Sequence, residues 1–179
     1  MQTFENPNIM GKKVPDQLVE TICSAGIRHI YAVTGDSLNE VNDAVRRAGT
    51  VRWIHMRHEE SGAFAATAEA ELNGLACCAG SSGPGHVHLI NGLYDAHRSN
   101  CSVLAIASTC PSDQFGTGYF QETSPIRLFD DCSGYNQMAV TPVQFARMLP
   151  AALQHALHKR EVAVIGLPGD VAACPCAES

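Results

Sequence analysis

The chain has no run of basic residues, and its 179 residues carry a formal net charge of -6 with a sequence pI of about 5.7. Nucleic acid is therefore not an expected partner, because that requires a clustered positive face. Long apolar runs are missing too. Gly, Ser or a charge interrupts every hydrophobic stretch before it could span a bilayer, so no transmembrane segment is expected. The opening residues, Met1-Gln2-Thr3-Phe4-Glu5-Asn6-Pro7, lack the basic start and apolar centre of a signal peptide, which makes the cytoplasm the expected compartment. There is no internal repeat, no low-complexity tract and no sign of a second-domain boundary. What remains is a globular composition, 45% hydrophobic and 17% charged, long enough for one domain with a sizeable core.

Several catalytic devices are absent as well. No Gly-Lys-Ser/Thr follows the glycine-rich stretch Gly80-Ser81-Ser82-Gly83-Pro84-Gly85, which excludes a P-loop. No nucleophile elbow or Ser-His-Asp order is visible. None of the eight cysteines (Cys23, Cys77, Cys78, Cys101, Cys110, Cys132, Cys174 and Cys176) forms a CxxC pair. Reduced thiols acting as small core hydrophobes are the expectation. Cys174-Pro175-Cys176 could bind metal or oxidise, but one short pair is at most half a metal site, so no metal centre is expected.

Residues 1–13 read as an irregular arm. A helix opens at Val14-Pro15-Asp16, where the missing proline N–H costs nothing, and Gly26 stops it. Ile27 to Val33 reads as a strand, and Thr34-Gly35-Asp36-Ser37 as a tight turn in which Asp36 or Ser37 can cap the next helix. A strand from Val51 to Met56 leads into Arg57-His58-Glu59-Glu60 and a helix reaching about Asn73. The small residues Ser61 to Ala68 predict a helix closely approached on several sides, including at a subunit interface.

Leu75 to Ala79 reads as a buried parallel strand, followed by the glycine-rich stretch and a helix from about His86 to Arg98. Ser102 to Ser108 is another strand. The long connection Thr109 to Thr123 carries Phe115, Tyr119 and Phe120, and loops of that kind tend to be functional. A short helix from Pro125 to about Asp131, a strand from Tyr135 to Val140, a helix from Thr141 to about His158 and a strand from Val162 to Leu167 complete the series. Repeated βα units predict an α/β fold: a doubly wound parallel sheet of about six strands with helices on both faces.

Glu59 then falls on the first turn of a helix, just past the carboxyl end of a strand, where open α/β sheets bind their ligands. Helix N–H groups stabilise an ionised carboxylate there and burial opposes it. Acidic residues favour a first helical turn in any case, so these residues alone leave a plain helix start open. The glycine stretch is the reverse of the dinucleotide fingerprint; phosphate binding, close approach to a flat ligand and a plain turn all stay open. His86 and His88 lie two apart and point in different directions, so they make no joint metal site, but one of them could face the crevice. His29, His155 and His158 read as surface or packing residues, and His97 is undecided.

Taken in order, several segments look familiar: Val33-Thr34-Gly35-Asp36-Ser37-Leu38-Asn39, Arg57-His58-Glu59-Glu60, Gly80 to Gly85 with His88 to Leu93, Gly118-Tyr119-Phe120-Gln121-Glu122-Thr123, and Leu167-Pro168-Gly169-Asp170-Val171. Together they resemble the N-terminal pyrimidine-binding domain of thiamine-diphosphate-dependent enzymes, most nearly those of the pyruvate oxidase and quinone-linked pyruvate dehydrogenase type. The likeness runs from about residue 12 to about residue 173 and implies the thiamine-diphosphate-binding fold over residues 14–171.

The resemblance implies that Glu59 hydrogen-bonds N1′ of the aminopyrimidine and favours its imino tautomer. The 4′-imine then takes the C2 proton, and the resulting carbanion attacks pyruvate, which loses carbon dioxide. It also implies that Thr34, Gly35, Gly83 and Pro84 pack beside the pyrimidine, and that His88, Phe120 and Gln121 line the substrate side.

In the family the diphosphate and Mg2+ sit on a separate domain with a Gly-Asp-Gly segment, and FAD sits on a middle domain. Neither pattern occurs here, so residues 172–179 read as the start of a linker toward an FAD-type domain. The isolated chain is expected to be inactive, either a fragment or one half of a split enzyme. It is expected to use pyruvate or another 2-keto acid within a homodimer or homotetramer, with room for membrane-surface association through other regions. Two other readings stand beside this one. One is the same domain of an acetolactate synthase or 2-keto acid decarboxylase; the other is a non-catalytic α/β ligand-binding or assembly module.

Overall fold

The computed structural model describes residues 11–177; residues 1–10 of the expected arm and 178–179 of the expected linker lie outside the described residues. The elements are α1 (Val14–Ser24), β1 (His29–Ala32), α2 (Asn39–Ala48), β2 (Arg52–His55), α3 (Glu59–Asn73), β3 (Ala76–Gly80) and α4 (Pro84–Arg98). They continue with β4 (Val103–Thr109), α5 (Pro125–Leu128), β5 (Tyr135–Met138), α6 (Pro142–Lys159), β6 (Val162–Pro168) and α7 (Gly169–Ala173). The six strands form one sheet in the order β2-β1-β3-β4-β6-β5, and every pairing is parallel. The expected doubly wound α/β sheet is the fold.

Uninterrupted apolar strands form the centre because both of their faces are covered. Every residue of β3, β4 and β6 is buried, whereas the edge strands β2 and β5 are only partly so. Alternation divides the side chains between two cores. Ile30, Cys77, Leu104, Ile106 and Ile165 face the layer of α1, α2, α6 and α7, while Cys78, Ala105, Ala107 and Val164 face that of α3 and α4. The thiols behave as hydrophobes: all eight are free, and burial pushes Cys78 up to about 12 and Cys77 well above its ordinary value. The two ends of the described residues meet, since Lys13 bridges Pro175 and the amide of Cys176 donates to the carbonyl of Lys12 at 2.8 Å.

Two local expectations need correction. α4 begins at Pro84 and not at about His86, because proline suits the first helical position and the glycine stretch runs straight into the helix. Neither Asp36 nor Ser37 caps a helix: residues Asp36–Leu38 form a 3-10 turn, and the Ser37 hydroxyl is engaged elsewhere. The last strand runs on into the short helix α7. Within the chain, α3 is covered on two sides. It packs on the sheet and on α4, while Phe64 and Leu72 on its outer side are 40% and 85% exposed.

The small residues of α3 matter where it meets α4. A Cβ on Gly92 would lie 2.5 Å from Cβ of Ala63 and 2.9 Å from the carbonyl oxygen of Glu60, so the two helices touch through their backbones. Gly92→Val should therefore destabilise the domain by about 2 kcal/mol, the usual cost of overpacking. Ala68→Val on the exposed side should stay within about 0.5 kcal/mol of wild type. Urea unfolding of the two variants checks this, and equal midpoints would count against the close packing.

Candidate functional site

In the strand order, the connections leaving β1 and β3 run in opposite directions, which opens a crevice at their carboxyl ends. Three hydroxyls tie its floor together. Ser37 Oγ lies 3.0 Å from Ser81 Oγ and 2.7 Å from Ser108 Oγ, and it accepts the amide of Ser82 at 3.0 Å. Ser108 Oγ in turn reaches the carbonyl of Gly80 at 3.3 Å. This knot draws the turn after β1 against the glycine stretch so closely that a Cβ on Gly35 would come within 2.3 Å of Ser81 Oγ.

Glu59 opens α3 at the rim of this floor and is only 8% exposed. Its Oε2 lies 3.0 Å from His88 Nδ1. A carboxylate only accepts, so Nδ1 carries the hydrogen in that contact. The His88 ring is stacked on His58, with centroids 4.2 Å apart. The other oxygen, Oε1, lies against Gly85, where a Cβ would come within 3.2 Å of it. Glu60 turns elsewhere and accepts from Asn91 Nδ2 at 2.6 Å, as its place one residue further round the helix requires.

The long connection after β4 folds back over the glycine stretch. Gly83 has φ +73°, and a Cβ there would meet Gln121 Cβ at 2.8 Å and Gln121 Cα at 3.0 Å; only glycine lets these backbones touch. Ser82 Oγ donates to the carbonyl of Gln121 at 2.6 Å, and the amide of Gly83 donates to Thr123 Oγ1 at 3.3 Å. Glu122 keeps the loop bent by accepting the amides of Gly116 at 2.6 Å and Gly118 at 3.0 Å. Phe120, at the tip, is 80% exposed.

Thr34, Gly35, Glu59, Pro84, Phe120 and Gln121 thus share the walls of one cleft of about 330 Å³. A larger hollow of about 420 Å³ adjoins it across Phe120 and Gln121, and is lined further by Tyr119 and Cys110. Glu59 lines only the smaller one, which is therefore the candidate site. Gly83 stands behind the wall at the Gln121 contact, and His88 joins the site through Glu59. Ser37, Ser81, Ser108, Thr123 and Glu122 were not singled out from sequence as members of this site. The partners of the serines and Thr123 lie far apart along the chain, Glu122 closes its own loop, and all these residue types are common.

His86 points away from His88 and is fully buried. Its Nε2 is 2.8 Å from the carbonyl oxygen of Ser108, which can only accept, so Nε2 carries the hydrogen and Nδ1 accepts from Thr123 Oγ1 at 2.7 Å. Burial lowers this imidazole to about 4, against smaller upward pulls from the Ser108 carbonyl and the charge of Glu59. His29 and His155 pair with Glu69 and Glu161 at 2.7 and 2.8 Å. Among the described residues, no group of three or more His, Cys, Asp or Glu could hold a metal ion, and no helix is long and apolar enough to cross a membrane.

Comparison with known proteins gives a consistent result. The family described as thiamine pyrophosphate enzyme, N-terminal TPP binding domain, matches residues 12–129. A 42.6 kDa protein of the isoamylase 3′ region in Pseudomonas amyloderamosa is 55% identical, over 89% of the chain and 41% of that protein. Pyruvate oxidase of Lactiplantibacillus plantarum is 34% identical, over 86% of the chain and 26% of its own length. Acetolactate synthase 3 of Brassica napus is 32% identical, over 89% and 24%. The chain therefore spans two fifths of the first relative and about a quarter of the other two.

The buried imidazole sets a pH dependence. Between pH 6.5 and about 4 the unfolded chain binds a proton at His86 that the folded chain refuses, so stability falls as pH falls through that window. The share of stability concerned is about 2 to 3 kcal/mol at pH 4.5 and is fully present above pH 6.5. Urea unfolding at pH 7.5 and 4.5 should show a smaller acid loss in His86→Gln than in wild type by about that amount. Equal losses would mean the ring is protonated in the folded state.

Proposed function

The chain belongs to the thiamine pyrophosphate enzymes, as their N-terminal TPP-binding domain, and from that premise we propose that it grips the pyrimidine end of the cofactor in the β1/β3 crevice of an enzyme that oxidatively decarboxylates pyruvate. The reading rests above all on one observation: Glu59 is buried at the rim, with one oxygen held by His88 and the other lying against Gly85 in the cleft.

The residues suit a flat heteroaromatic ring. The cleft has walls that side chains on Gly35 or Gly85 would crowd, and a carboxylate borders it. Thr34, Gly35 and Pro84 would pack beside the ring, with Gly83 behind them, and Glu59 would share a proton with its N1′ nitrogen. The cofactor supplies an acidic carbon centre and an electron sink for expelling carbon dioxide from a 2-keto acid. The chain's own part is to hold that proton at Glu59, to keep water away from it, and to present His88, Phe120 and Gln121 on the substrate side. FAD and Mg2+ would be held by parts of the enzyme other than these residues.

Pyruvate oxidation is favoured by the Tyr119-Phe120-Gln121-Glu122 segment with His88, and by the 34% identity to a pyruvate oxidase. The 32% identity to an acetolactate synthase keeps a second reading in play: the same domain with acetolactate as product. Anaerobic addition of pyruvate to the complete enzyme separates the two. Flavin reduction supports oxidation; acetolactate formation without flavin reduction selects the alternative. A second copy of the chain would cover the outer side of α3, where Phe64 and Leu72 stand exposed.

Two outcomes are expected. Glu59→Gln in the complete enzyme should slow cofactor C2 proton exchange at least ~100-fold, the usual scale of a lost proton-transfer group, with an unchanged circular dichroism spectrum. Exchange at the wild-type rate would remove Glu59 from the chemistry. In sedimentation the chain should associate with rising concentration, and Leu72→Glu should abolish this; a monomer at every concentration would rule out the self-contact.

A further inference from the structure

We infer that His86 is a positioning residue for the substrate side of the site, holding Phe120 and Gln121 in place through Thr123. This rests on the proposed reading of Phe120 and Gln121 as substrate-facing.

The tip of the aromatic loop has little packing to fix it. Phe120 is 80% exposed, and Gln121 adopts φ +63°, a left-handed conformation that a non-glycine residue keeps only when its surroundings impose it. Ser82 Oγ holds the Gln121 carbonyl at 2.6 Å and the amide of Glu122 closes the turn on Tyr119 at 2.8 Å, and behind this turn runs a directional chain of hydrogen bonds. The Gly83 amide donates to Thr123 Oγ1, that hydroxyl donates to His86 Nδ1, and His86 Nε2 donates to the carbonyl of Ser108 at the end of β4. Each role is fixed by the last link, because a carbonyl can only accept.

The imidazole thus joins three parts: the helix that carries it, the last residues of β4 and the returning end of the aromatic loop. The edge of Phe129, 5.9 Å away between centroids, packs against His86 and limits its rotation. Since the loop meets the glycine stretch by backbone contact at Gly83 and Gln121, a small shift of Thr123 passes directly to Gln121 and Phe120.

The test uses the complete enzyme and three variants. Thr123→Val keeps the shape and removes the hydroxyl; Thr123→Ser restores it; His86→Ala removes the imidazole. Thr123→Val and His86→Ala should each raise KM for the 2-keto acid about tenfold, with C2 proton exchange within twofold of wild type. Hydrogen exchange at the amides of Gly116 and Gly118 should quicken at least tenfold in both. Thr123→Ser should match wild type, and the double variant should be no worse than His86→Ala alone.

An unchanged KM and unchanged loop protection in Thr123→Val would overturn the inference. So would a parallel fall in C2 exchange, which would place the effect at Glu59. If His86→Ala does not fold, Thr123→Val and Thr123→Ser still decide. Failure of the underlying reading looks different: loop protection would then fall in Thr123→Val while KM stays at the wild-type value.

Discussion

The opposite departures of the chain from β1 and β3 are the constraint on which the site depends. A parallel sheet closes its strand ends with crossovers, and only where two crossovers diverge does a crevice stay open. Here the crevice lies between Thr34-Gly35 after β1 and the glycine stretch after β3, with Glu59 entering from the helix after β2. Each contributor sits at a strand end or a helix start, so its position follows from the rigid sheet. The exception is the aromatic loop, which must be brought in from β4 and pinned.

Two kinds of contact do the pinning, and they differ in physical character. Backbone meets backbone at Gly83 with Gln121, and nearly so at Gly35 with Ser81, because no Cβ intervenes. Polar side chains then satisfy the groups that such close approach buries: Ser37 among the serines, and His86 with Thr123 behind the loop. Buried polar groups are costly unless bonded, and here each nitrogen of His86 has a partner. This division leaves the Glu59 oxygen beside Gly85 outside the framework network, while the oxygen facing His88 is engaged.

Much of this was legible from the residues because it is local. Continuous apolar segments marked β3, β4 and β6, and a carboxylate following a strand marked a crevice position without any partner being known. The serine knot was not legible, since Ser37 reaches across 44 residues to Ser81 and 71 to Ser108, and serines carry no distinguishing pattern. The choice between His86 and His88 depended on where α4 begins, and the start at Pro84 turns His88 to Glu59 and His86 into the core. Small residues in α3 signalled close approach but not its direction, which Gly92 on the neighbouring helix supplies.

Cys77 and Cys78 stand back to back in β3, one in each hydrophobic layer. Neither thiol can react until its own layer parts, because burial raises both well above their ordinary range. The pair is thus a built-in stopwatch for the two sides of the molecule. The order in which alkylating reagents capture the two sulfurs would tell which layer loosens first when the domain breathes.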